Sequence, residues 1–596
     1  MRIAIGQMNV IAGDIIKNFK KMEEMIIDAK AKNAEIIVFP ELCITGKFIG
    51  DIFNDINFLE EAIKINDKIK ELSNGIGIVF GNVFLDYKNL DNKKNPTKYN
   101  AAYFYCDKKE VRKLNGIDGL YLKHKLVNHY IFNDSRYFKS GIKYDRENDL
   151  DYGLSPFSFQ FQDGKKKIVI GISDELFNDQ NNKFYKHNDI DMIINISSDP
   201  WILNKELQRE DKIKDLIKCS NCNSFVSVNC VGMQNTGKNI CLFDGDSKIY
   251  DNNLKCVSSY NDSFKEELMV SDLSLESKIK RGDNKLLDAL IFACKEVDTQ
   301  FFNNSLKWIV GMSGGLDSAI TSAILTLAIN KDRIIGYNMS SKYNSDDTIN
   351  SAKIQAQKMG ISYKEGSIEC MVDSTIDTAK SYGYKDVDKG LTLENIQARL
   401  RGHLLSTFAS LENGVVINNG NKIEVALGYC TLYGDSIGVF SLLGDCTKVQ
   451  LFDLAKAINI RFSDDVISLK LLPVIDDDKV LWEIAPSAEL KNNQKDPMKW
   501  FYHDWLIEKI LKSNEMSIDK IIKEYDNKTL FENDIKKWVK FYGLDNKENF
   551  INDLSWIFKM LENSVFKRIQ MPPIVMVSDC AFGSGYNEMQ GKVFHK

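Results

Sequence analysis

The chain has 596 residues, a mass of 68.0 kDa, a net charge of −5 and a pI of about 5.9, so it is too long for one hydrophobic core. With 44% hydrophobic and 27% charged residues, its composition is typical of a globular protein and excludes a basic surface for non-specific nucleic-acid binding. No window approaches about 18 uninterrupted apolar residues, so we expect no membrane span. The strand-like start, without a signal peptide, and twelve scattered cysteines predict a cytoplasmic protein with reduced thiols.

In the first half, short β-rich runs alternate with amphipathic stretches, which predicts layered α/β structure. Residues 15–33 are predicted to form a helix, and strands are predicted over IAIGQM, AEIIVFP, GIGIVFGNVF, NAAYFYC, KIVIGIS, MIINIS, SFVSVNCVG and LMVSDLS. The polar segment ESKIKRGDN follows and suits a linker. We therefore predict a domain boundary near residue 275, with domains at 1–275 and 276–596.

The second half opens with a predicted helix over NKLLDALIFACKEV and the apolar strand KWIVGM, and helical stretches follow at about residues 500–570. Between that strand and the next helix lies the segment SGGLDS, Ser313–Ser318. A strand, a glycine-rich turn and a helix together direct free backbone N–H groups at a phosphate. The sequence therefore predicts a phosphate-binding loop, and a structural turn built from the same residues is the alternative.

Each residue type in this loop has a chemical reason to be there. Gly314 and Gly315 permit close approach of the backbone, and the hydroxyls of Ser313 and Ser318 can donate hydrogen bonds. Asp317 would be repelled by a bare phosphate, so its presence suggests a bridging Mg²⁺. The loop is not a Walker loop, because no GKS or GKT follows.

The segment SGGLDS resembles the pyrophosphate loop of the ATP pyrophosphatases, which split ATP between the α- and β-phosphates. The following segments resemble, in the same order, those of the NAD synthetases: ENIQARLRG, NNGNKIEVALGYCTLYGD, LLGDCTKVQLFDLAK, APSAELKNNQKDP and FKRIQMPPI. This resemblance spans about residues 280–590. It implies a Rossmann-like, doubly wound parallel sheet of the adenine nucleotide alpha hydrolase type.

The resemblance also implies roles for individual residues. ATP would contact the phosphate loop and residues near it, namely Gly311, Ser313, Gly314, Gly315, Asp317, Ser318, Arg399, Asn419 and Lys448. Asp317 and Glu424 would ligate Mg²⁺, whereas Asp435 and Lys422 would contact deamido-NAD. One position departs from the family pattern, since Asn419 stands where the family usually has Thr.

The reaction implied by the resemblance is ATP-dependent amidation of nicotinic acid adenine dinucleotide, deamido-NAD, to NAD. The substrate carboxylate would attack the ATP α-phosphorus to form an acyl-adenylate and release pyrophosphate. Nitrogen would then attack the activated carbonyl and release AMP. The resemblance further implies a homo-oligomer through the synthetase domain, with only small-molecule substrates as other partners.

The first half resembles the carbon–nitrogen hydrolase, or nitrilase, superfamily over about residues 1–270, which implies an αββα sandwich acting as a glutaminase. That superfamily acts through Glu, Lys and Cys. Glu41, in FPELCITG, matches the general base, and Lys123 matches the lysine, with Lys125 as a weaker candidate. The cysteine belongs in the segment that reads GISDELF here, so Ser173 occupies its position.

A serine at this position changes the expected chemistry. A thiol has a pKa of about 8.5 and forms a thiolate readily, whereas a hydroxyl usually needs a histidine to activate it. We therefore expect glutamine hydrolysis by Ser173 to be absent or severely reduced, which leaves ammonia as the nitrogen donor. LVNH and MQNTG, where LPNY and GQDE are usual, favour natural loss of the activity over replacement of the cysteine by engineering.

Other functions remain as alternatives at this point. One is a fully glutamine-dependent NAD synthetase whose cysteine was replaced by engineering, and another is an ATP pyrophosphatase that amidates a different acid. A nitrilase-type amidase whose second half only binds nucleotide is disfavoured by Ser173. A catalytically dead scaffold is disfavoured by the intact SGGLDS loop with Glu424 and Lys448.

Overall fold

The computed structural model describes residues 1–91, 94–150, 155–177, 190–220, 222–260, 262–273, 284–476, 479–491, 494, 496–512, 517–583, 586 and 588. Contacts divide the chain into two compact units, residues 1–236 with 241–285 and residues 237–240 with 286–596. The predicted boundary near residue 275 and all but the last residue of the predicted linker lie outside the described residues. Within the described part of the chain, no helix is long and apolar enough to cross a membrane.

The first unit contains two large sheets. In spatial order, the first sheet consists of β15 (Glu267–Ser271), β1 (Ile3–Gln7), β2 (Ile36–Val38), β3 (Gly77–Leu90), β4 (Pro96–Cys106) and β5 (Lys109–Glu110), with β6 (Leu120–Leu122) also paired to β4. The second sheet consists of β14 (Cys256–Ser259), β13 (Lys248–Asp251), β10 (Ser224–Asn229), β9 (Met192–Ser197), β8 (Gly164–Ile172) and β7 (Phe157–Phe161). Further elements of this unit are α1 (Ile15–Ala31), α2 (Ile56–Leu72), α3 (Asp134–Tyr137), α4 (Gly141–Glu147), α5 (Lys205–Ser220) and β11 (Val231–Asn235).

The two sheets pack face to face because alternate residues of their strands are apolar. Ile5 and Phe104 from the first sheet share one buried core with Ile170 and Ile194 from the second. On the outer face of the second sheet, α5 buries its apolar stripe against other strand residues, as Leu216 packs in a cluster with Ile193. On the first sheet, α1 and α2 provide the corresponding layer. The predicted αββα sandwich is therefore confirmed.

The second unit is built on a parallel sheet in the order β18 (Ser362–Ser367), β17 (Ile334–Ser340), β16 (Lys307–Gly311) and β19 (Gly414–Val416). Its helices are α6 (Lys285–Phe302), α7 (Leu316–Ala328), α8 (Asp346–Met359), α9 (Glu369–Ser381), α10 (Gly390–Leu411), α11 (Lys422–Leu427) and α12 (Lys448–Phe462). Its shorter strands are β20 (Val474–Asp476), β21 (Lys479–Leu481) and β22 (Ile574–Val575), whereas most residues of β12 (Asn239–Asp244) belong to the first unit.

The central strands of this sheet, β16 and β17, carry apolar runs and are buried on both faces. Ile309 packs on one face against Leu405 and Phe408 of α10, and its neighbours Trp308 and Val310 are fully buried on the other. The strand order reverses at β16, because the chain moves outward to β17 and β18 and then returns beside β16 as β19. Ligands of such sheets bind beyond the carboxyl ends of the strands at the reversal. The predicted doubly wound parallel sheet is confirmed, and its reversal lies at the phosphate loop.

The chain after about residue 500 is helical, with α13 (Tyr502–Lys512), α14 (Ile518–Asp526), α15 (Asn533–Phe541), α16 (Lys547–Asn563) and α17 (Val565–Gln570). A buried polar cluster joins α13 to α16. His503 Nδ1 accepts a 2.9 Å hydrogen bond from the backbone N–H of Lys499, and its Nε2 lies 3.1 Å from Asp553 Oδ2. Burial lowers the pKa of His503 below its ordinary value, so the ring is neutral near pH 7.

We predict that His503→Gln destabilises this helical region by about 1–3 kcal/mol near pH 8, because both ring hydrogen bonds are lost from a buried site. The folded-state pKa lies below the unfolded value of about 6.5, so protonation favours the unfolded chain and the contribution of His503 fades as the pH falls below 6.5. Urea unfolding followed by tryptophan fluorescence at pH 8 and pH 5 measures both effects. His403→Gln, at an exposed position, is the matched control. Equal midpoints for the two variants at pH 8 would contradict the assignment.

Candidate active site

The phosphate loop connects the end of β16 to the start of α7. Gly314 has a φ of 88°, and a Cβ atom there would lie 2.0 Å from the carbonyl oxygen of Thr348, so only glycine fits. The Ser313 hydroxyl accepts a 3.2 Å hydrogen bond from the N–H of Gly315, the residue that caps α7. The Ser318 hydroxyl donates to the carbonyl of Gly315 at 3.1 Å. The loop is thus held open at a helix N-terminus, which favours an anion.

A second loop, after β19, meets the phosphate loop through Asn421. The Asn421 side chain caps α11 by accepting hydrogen bonds of 3.1 Å from the N–H groups of Ile423 and Glu424. Its Nδ2 donates to Asp317 Oδ2 at 2.8 Å. One amide therefore fixes the positions of Asp317 and Glu424 relative to each other.

Asn419, from the same second loop, stands at the base of the phosphate loop. Its Nδ2 donates a 2.9 Å hydrogen bond to the carbonyl of Gly311. Its Oδ1 is buried and has no hydrogen-bond partner among the described residues. Since a buried acceptor without a partner is costly, this oxygen is available to a donor group of a bound ligand.

Lys448, the first residue of α12, supplies the positive charge at this site. Its Nζ donates to Asp317 Oδ1 at 2.6 Å. Burial disfavours the charged lysine, but Asp317 and Glu424 outweigh burial and raise its pKa. Burial and then the charge of Asp317 hold the pKa of Glu424 well above its ordinary value, and burial also raises the pKa of Asp496 nearby.

These carboxylates outnumber the single lysine, so the site attracts a further cation. Carboxylate oxygens are suitable Mg²⁺ ligands, and Mg²⁺ in ATP sites is usually held by one or two carboxylates together with phosphate oxygens. Asp317 and Glu424 match that requirement. No group of three or more His, Cys, Asp or Glu side chains that could hold a metal occurs within the part of the chain that the structure describes.

A cavity of about 340 Å³ opens between the phosphate loop, the second loop and a segment at residues 484–490. Glu489 holds this segment in place, because its Oε2 accepts hydrogen bonds from Thr348 Oγ1 at 2.8 Å and from Asn344 Nδ2 at 3.1 Å. On the cavity wall, Asp435 Oδ1 accepts a 2.6 Å hydrogen bond from the N–H of Thr431. The pKa of Asp435 is raised because protein surrounds its carboxyl group.

Most residues predicted for the synthetase site line this one cavity: Gly311, Ser313, Gly315, Asp317, Ser318, Asn419, Glu424, Asp435 and Lys448. The two arginines of α10 differ. Arg399 is exposed, with its Nε donating to the carbonyl of Leu432 at 3.3 Å, whereas Arg401 lines the cavity. Residues two apart on a helix point to different faces, so only one of them can reach this cavity from α10. Burial lowers the pKa of Arg401 to about 10.

Lys422 does not line the cavity. It is buried, and its Nζ lies 2.9 Å from Asp445 Oδ1 and donates to Ser578 Oγ at 3.0 Å. Burial opposes the charge of Lys422, but Asp445 outweighs burial and raises its pKa. In this structure Lys422 therefore ties α11 to the segment near Ser578. The sequence assigned no role to Glu489 or Asp496, although both lie in APSAELKNNQKDP.

Glu41, the predicted base of the first unit, is fully buried after β2. Its Oε1 accepts hydrogen bonds from Lys123 Nζ at 2.9 Å, Asn100 Nδ2 at 2.7 Å and Lys47 Nζ at 2.6 Å. Its Oε2 accepts from the N–H of Ser198 at 3.0 Å. Although burial favours the neutral acid, Lys123 and Lys47 outweigh it and lower the pKa of Glu41.

Lys123 is also fully buried and donates a second hydrogen bond, of 2.9 Å, to Asp134 Oδ2. Burial raises the pKa of Asp134, but Lys47 and Lys123 outweigh it, and the resulting pKa is about 2. Lys125, the weaker candidate, is exposed. The structure thus brings together Glu41 and Lys123, and it adds Lys47 and Asp134, which the sequence did not single out.

Ser173 follows β8 directly and has a φ of 62°, a conformation that costs a non-glycine residue energy. In the parallel pair β8–β9, Ile172 stands opposite Ile196, so Ser173 lies at the same sheet edge as Ser198, which binds Glu41. Glu175, two residues on, accepts a 2.8 Å hydrogen bond from the N–H of His124 and so ties this turn to the segment that carries Lys123. The Ser173 hydroxyl makes no hydrogen bond to another described residue.

Known families match the two halves separately. The carbon–nitrogen hydrolase family matches residues 2–279, and the NAD synthase family matches residues 292–542. The glutamine-dependent NAD(+) synthetase of Acinetobacter baylyi is 30% identical over 505 residues, which cover 83% of this chain and 84% of that protein. The glutamine-dependent NAD(+) synthetase of Synechocystis is 26% identical over 622 residues, covering 100% of this chain and 99% of that protein.

The same architecture occurs in a solved structure. The glutamine-dependent NAD+ synthetase of Acinetobacter baumannii, in complex with adenosine diphosphate, superposes with a TM-score of 0.68 at 24% sequence identity. The superposition covers 98% of this chain and 97% of that one. From the identity to the Acinetobacter baylyi protein and the match of both halves, this chain belongs to the glutamine-dependent NAD(+) synthetase family.

Proposed function

We propose that this chain amidates deamido-NAD with ammonia as the nitrogen donor. The family reaction is ATP-dependent amidation of deamido-NAD to NAD, catalysed by a carbon–nitrogen ligase that uses ATP. The observation that carries the proposal is the convergence of Asp317, Glu424 and Lys448 on the glycine-rich loop at the reversal of strand order. A cavity with this charge and this loop suits a triphosphate.

In the first step, an oxygen of the substrate carboxylate attacks the ATP α-phosphorus, and the bond from that phosphorus to the β-phosphate bridging oxygen breaks. Pyrophosphate leaves with the negative charge that develops. The N–H groups at the start of α7 and the ammonium group of Lys448 are placed beforehand to stabilise that charge. Mg²⁺ held by Asp317 and Glu424 would supply further charge compensation.

In the second step, ammonia attacks the carbonyl carbon of the acyl-adenylate, AMP leaves with the bridging oxygen, and a proton is lost from nitrogen. An acyl-adenylate is sensitive to water, so the site must exclude it. The segment held by Glu489 lines the cavity and suits that task. Asp435, on the cavity wall, is proposed to face the nicotinate end of the dinucleotide.

Ammonia as donor follows from Ser173 in the first unit. Ser173 is buried on a strained turn, and among the described residues no base is hydrogen-bonded to its hydroxyl, so the hydroxyl is poorly activated for attack on an amide. The retained contact between Glu41 and Lys123 favours a second candidate, a glutamine-dependent enzyme whose cysteine was replaced. The homo-oligomer through the synthetase domain and the division at residue 275 stay predictions.

The donor test compares NAD formation from deamido-NAD with ammonium and with glutamine. Loss of a nucleophile removes most of the catalysis that depends on it, so we expect glutamine to support a rate at least about 100-fold below that of ammonium. NAD, AMP and pyrophosphate are quantified in the same reactions. Equal rates with the two donors would show that the first unit still hydrolyses glutamine. Failure of both donors would refute the synthetase assignment.

Asp317→Asn should abolish turnover with ammonium, by at least about 100-fold in kcat/KM, because the change removes the charge that Lys448 and Mg²⁺ need. AMP release measures the effect. Asp453→Asn is the control, since Asp453 is an exposed carboxylate on α12, the helix that begins with Lys448. Similar activity in the two variants would contradict the proposed role of Asp317.

The arginine that serves the site can be identified with a matched pair. Arg401→Gln should lower kcat/KM by about 10- to 100-fold, the range for losing one charge-assisted contact, because Arg401 lines the cavity. Arg399→Gln should change kcat/KM little, because Arg399 is exposed. Steady-state kinetics with ATP and deamido-NAD varied in turn separate the two. If only Arg399→Gln lowered kcat/KM, Arg399 would be the arginine that contacts ATP, as the family resemblance implies.

A further inference from the structure

Four buried charged groups in the first unit form one ion cluster: Glu41, Lys123, Lys47 and Asp134. Glu41 and Lys123 correspond to the base and the lysine implied by the nitrilase resemblance. Lys47 and Asp134 have no role in that reaction. Lys47 lies 2.6 Å from Glu41 and 3.9 Å from Asp134, with only 3% of its side chain exposed.

Lys47 is fixed in this position by contacts on three sides. Its backbone N–H donates to Gln234 Oε1 at 2.9 Å, and its Nζ stands 5.3 Å above the ring of Phe132. The remaining side is the carboxylate of Glu41. A lysine that is desolvated and held in this way stays on its partner, unlike a surface ion pair that solvent can separate.

The ammonium group of Lys47 binds the oxygen of Glu41 that already has two other donors. A carboxylate oxygen has about two lone pairs in its plane, and Oε1 receives Lys47, Lys123 and Asn100. The other oxygen, Oε2, accepts the N–H of Ser198. Three donors crowd Oε1, whereas Oε2 accepts one and keeps one lone pair.

A base for amide hydrolysis must accept a proton from the attacking group while the new bond to the amide carbon forms. That requires an open lone pair and a proton affinity near that of the nucleophile. Two ammonium groups within 3 Å stabilise the carboxylate anion and disfavour its protonation. The lowered pKa of Glu41 agrees with this geometry.

We propose that Lys47 is a positioning residue that holds Glu41 as an ionised carboxylate between two ammonium groups, so that the first unit cannot hydrolyse glutamine even when a thiol stands at position 173. The inference rests on the proposed loss of glutamine hydrolysis and adds a second cause to it. Two features of this chain then oppose glutamine hydrolysis, the missing thiol at Ser173 and the ammonium group of Lys47 beside Glu41.

The test uses the full chain with Ser173→Cys alone, with Ser173→Cys/Lys47→Met, and with Ser173→Cys/Lys47→Arg. Methionine has nearly the shape of lysine without its charge, whereas arginine keeps the charge. Glutamate release from glutamine is measured directly, so the readout does not depend on the synthetase. We expect little hydrolysis from Ser173→Cys, at least about a tenfold increase when Lys47→Met is added, and no increase with Lys47→Arg.

Two further measurements distinguish an effect on the base from an effect on folding. Lys47→Gln, a second neutral variant, keeps a hydrogen-bond donor near Glu41 and should behave like Lys47→Met. The acidic limb of the pH–rate profile should move to higher pH in both neutral variants, because Glu41 loses one of its two cations. Alkylation of the introduced thiol by iodoacetamide, followed by mass spectrometry, does not require turnover. The pH dependence of its rate should shift to higher pH in the same way.

Three outcomes would contradict the role of Lys47. The role would be overturned if Ser173→Cys alone hydrolysed glutamine as fast as the neutral double variants. It would also be overturned by equal rates for Lys47→Arg and Lys47→Met, or by an unchanged acidic limb in both neutral variants. NAD formation with ammonium is assayed for every protein and tests the proposed function separately, because its failure in the unmodified chain would leave the glutamate readout intact.

Discussion

The ion pair between Lys448 and Asp317 is the contact on which the rest of the synthetase site depends. Lys448 begins α12 and Asp317 lies in the first turn of α7, so the pair ties together the N-terminal ends of two helices that pack against each other. Asn421 completes the junction by binding Asp317 and capping the helix that carries Glu424. Three segments far apart in the chain thereby converge on one helix N-terminus. An anion can be bound there without rearrangement, which is the main requirement of a reaction governed by positioning and charge.

The fold makes that convergence possible because parallel strands end at one edge. β16 and β19 are neighbours although about a hundred residues separate them, and the loop that follows each one faces the same cavity. Gly314 is required at this point because the backbone of α8 passes too close for any side chain. The same rule operates in the first unit, where β8 and β9 end together and bring Ser173 to the edge that holds Glu41. Each candidate site is therefore set by strand order, and loop sequence then determines its chemistry.

How much the sequence could predict depended on whether a feature is local. The strand, loop and helix around Ser313–Ser318 are contiguous, so pattern alone located them. Alternating β-rich and amphipathic stretches predicted layered α/β structure, whereas the αββα sandwich was implied by the resemblance to the nitrilase superfamily. Which face of α10 is turned to the cavity depends on tertiary packing. The sequence analysis therefore named Arg399 for ATP, whereas Arg401 lines the cavity. Lys422 sits within a motif, yet its buried partner Asp445 is fixed only by tertiary packing. Lys47 went unnoticed because nothing in its neighbours shows that the turn after Glu41 folds its ammonium back onto that carboxylate.

Charge counting explains why two buried clusters of similar composition differ in what they can do. Around Lys448 stand three carboxyl groups, those of Asp317, Glu424 and Asp496, so carboxyl groups outnumber the lysine. Burial is the main cause that raises the pKa values of Glu424 and Asp496, and the charge of Asp317 raises them further. Such a site gains from a further cation and from the phosphates that accompany it. Around Glu41 the two lysines and two carboxylates balance, and the low pKa values of Glu41 and Asp134 show that both anions are already satisfied. A carboxylate whose charge is already balanced has little affinity for a proton during a reaction. Burial therefore favours ligand binding at the cluster around Lys448, whereas at Glu41 it accompanies a loss of basicity.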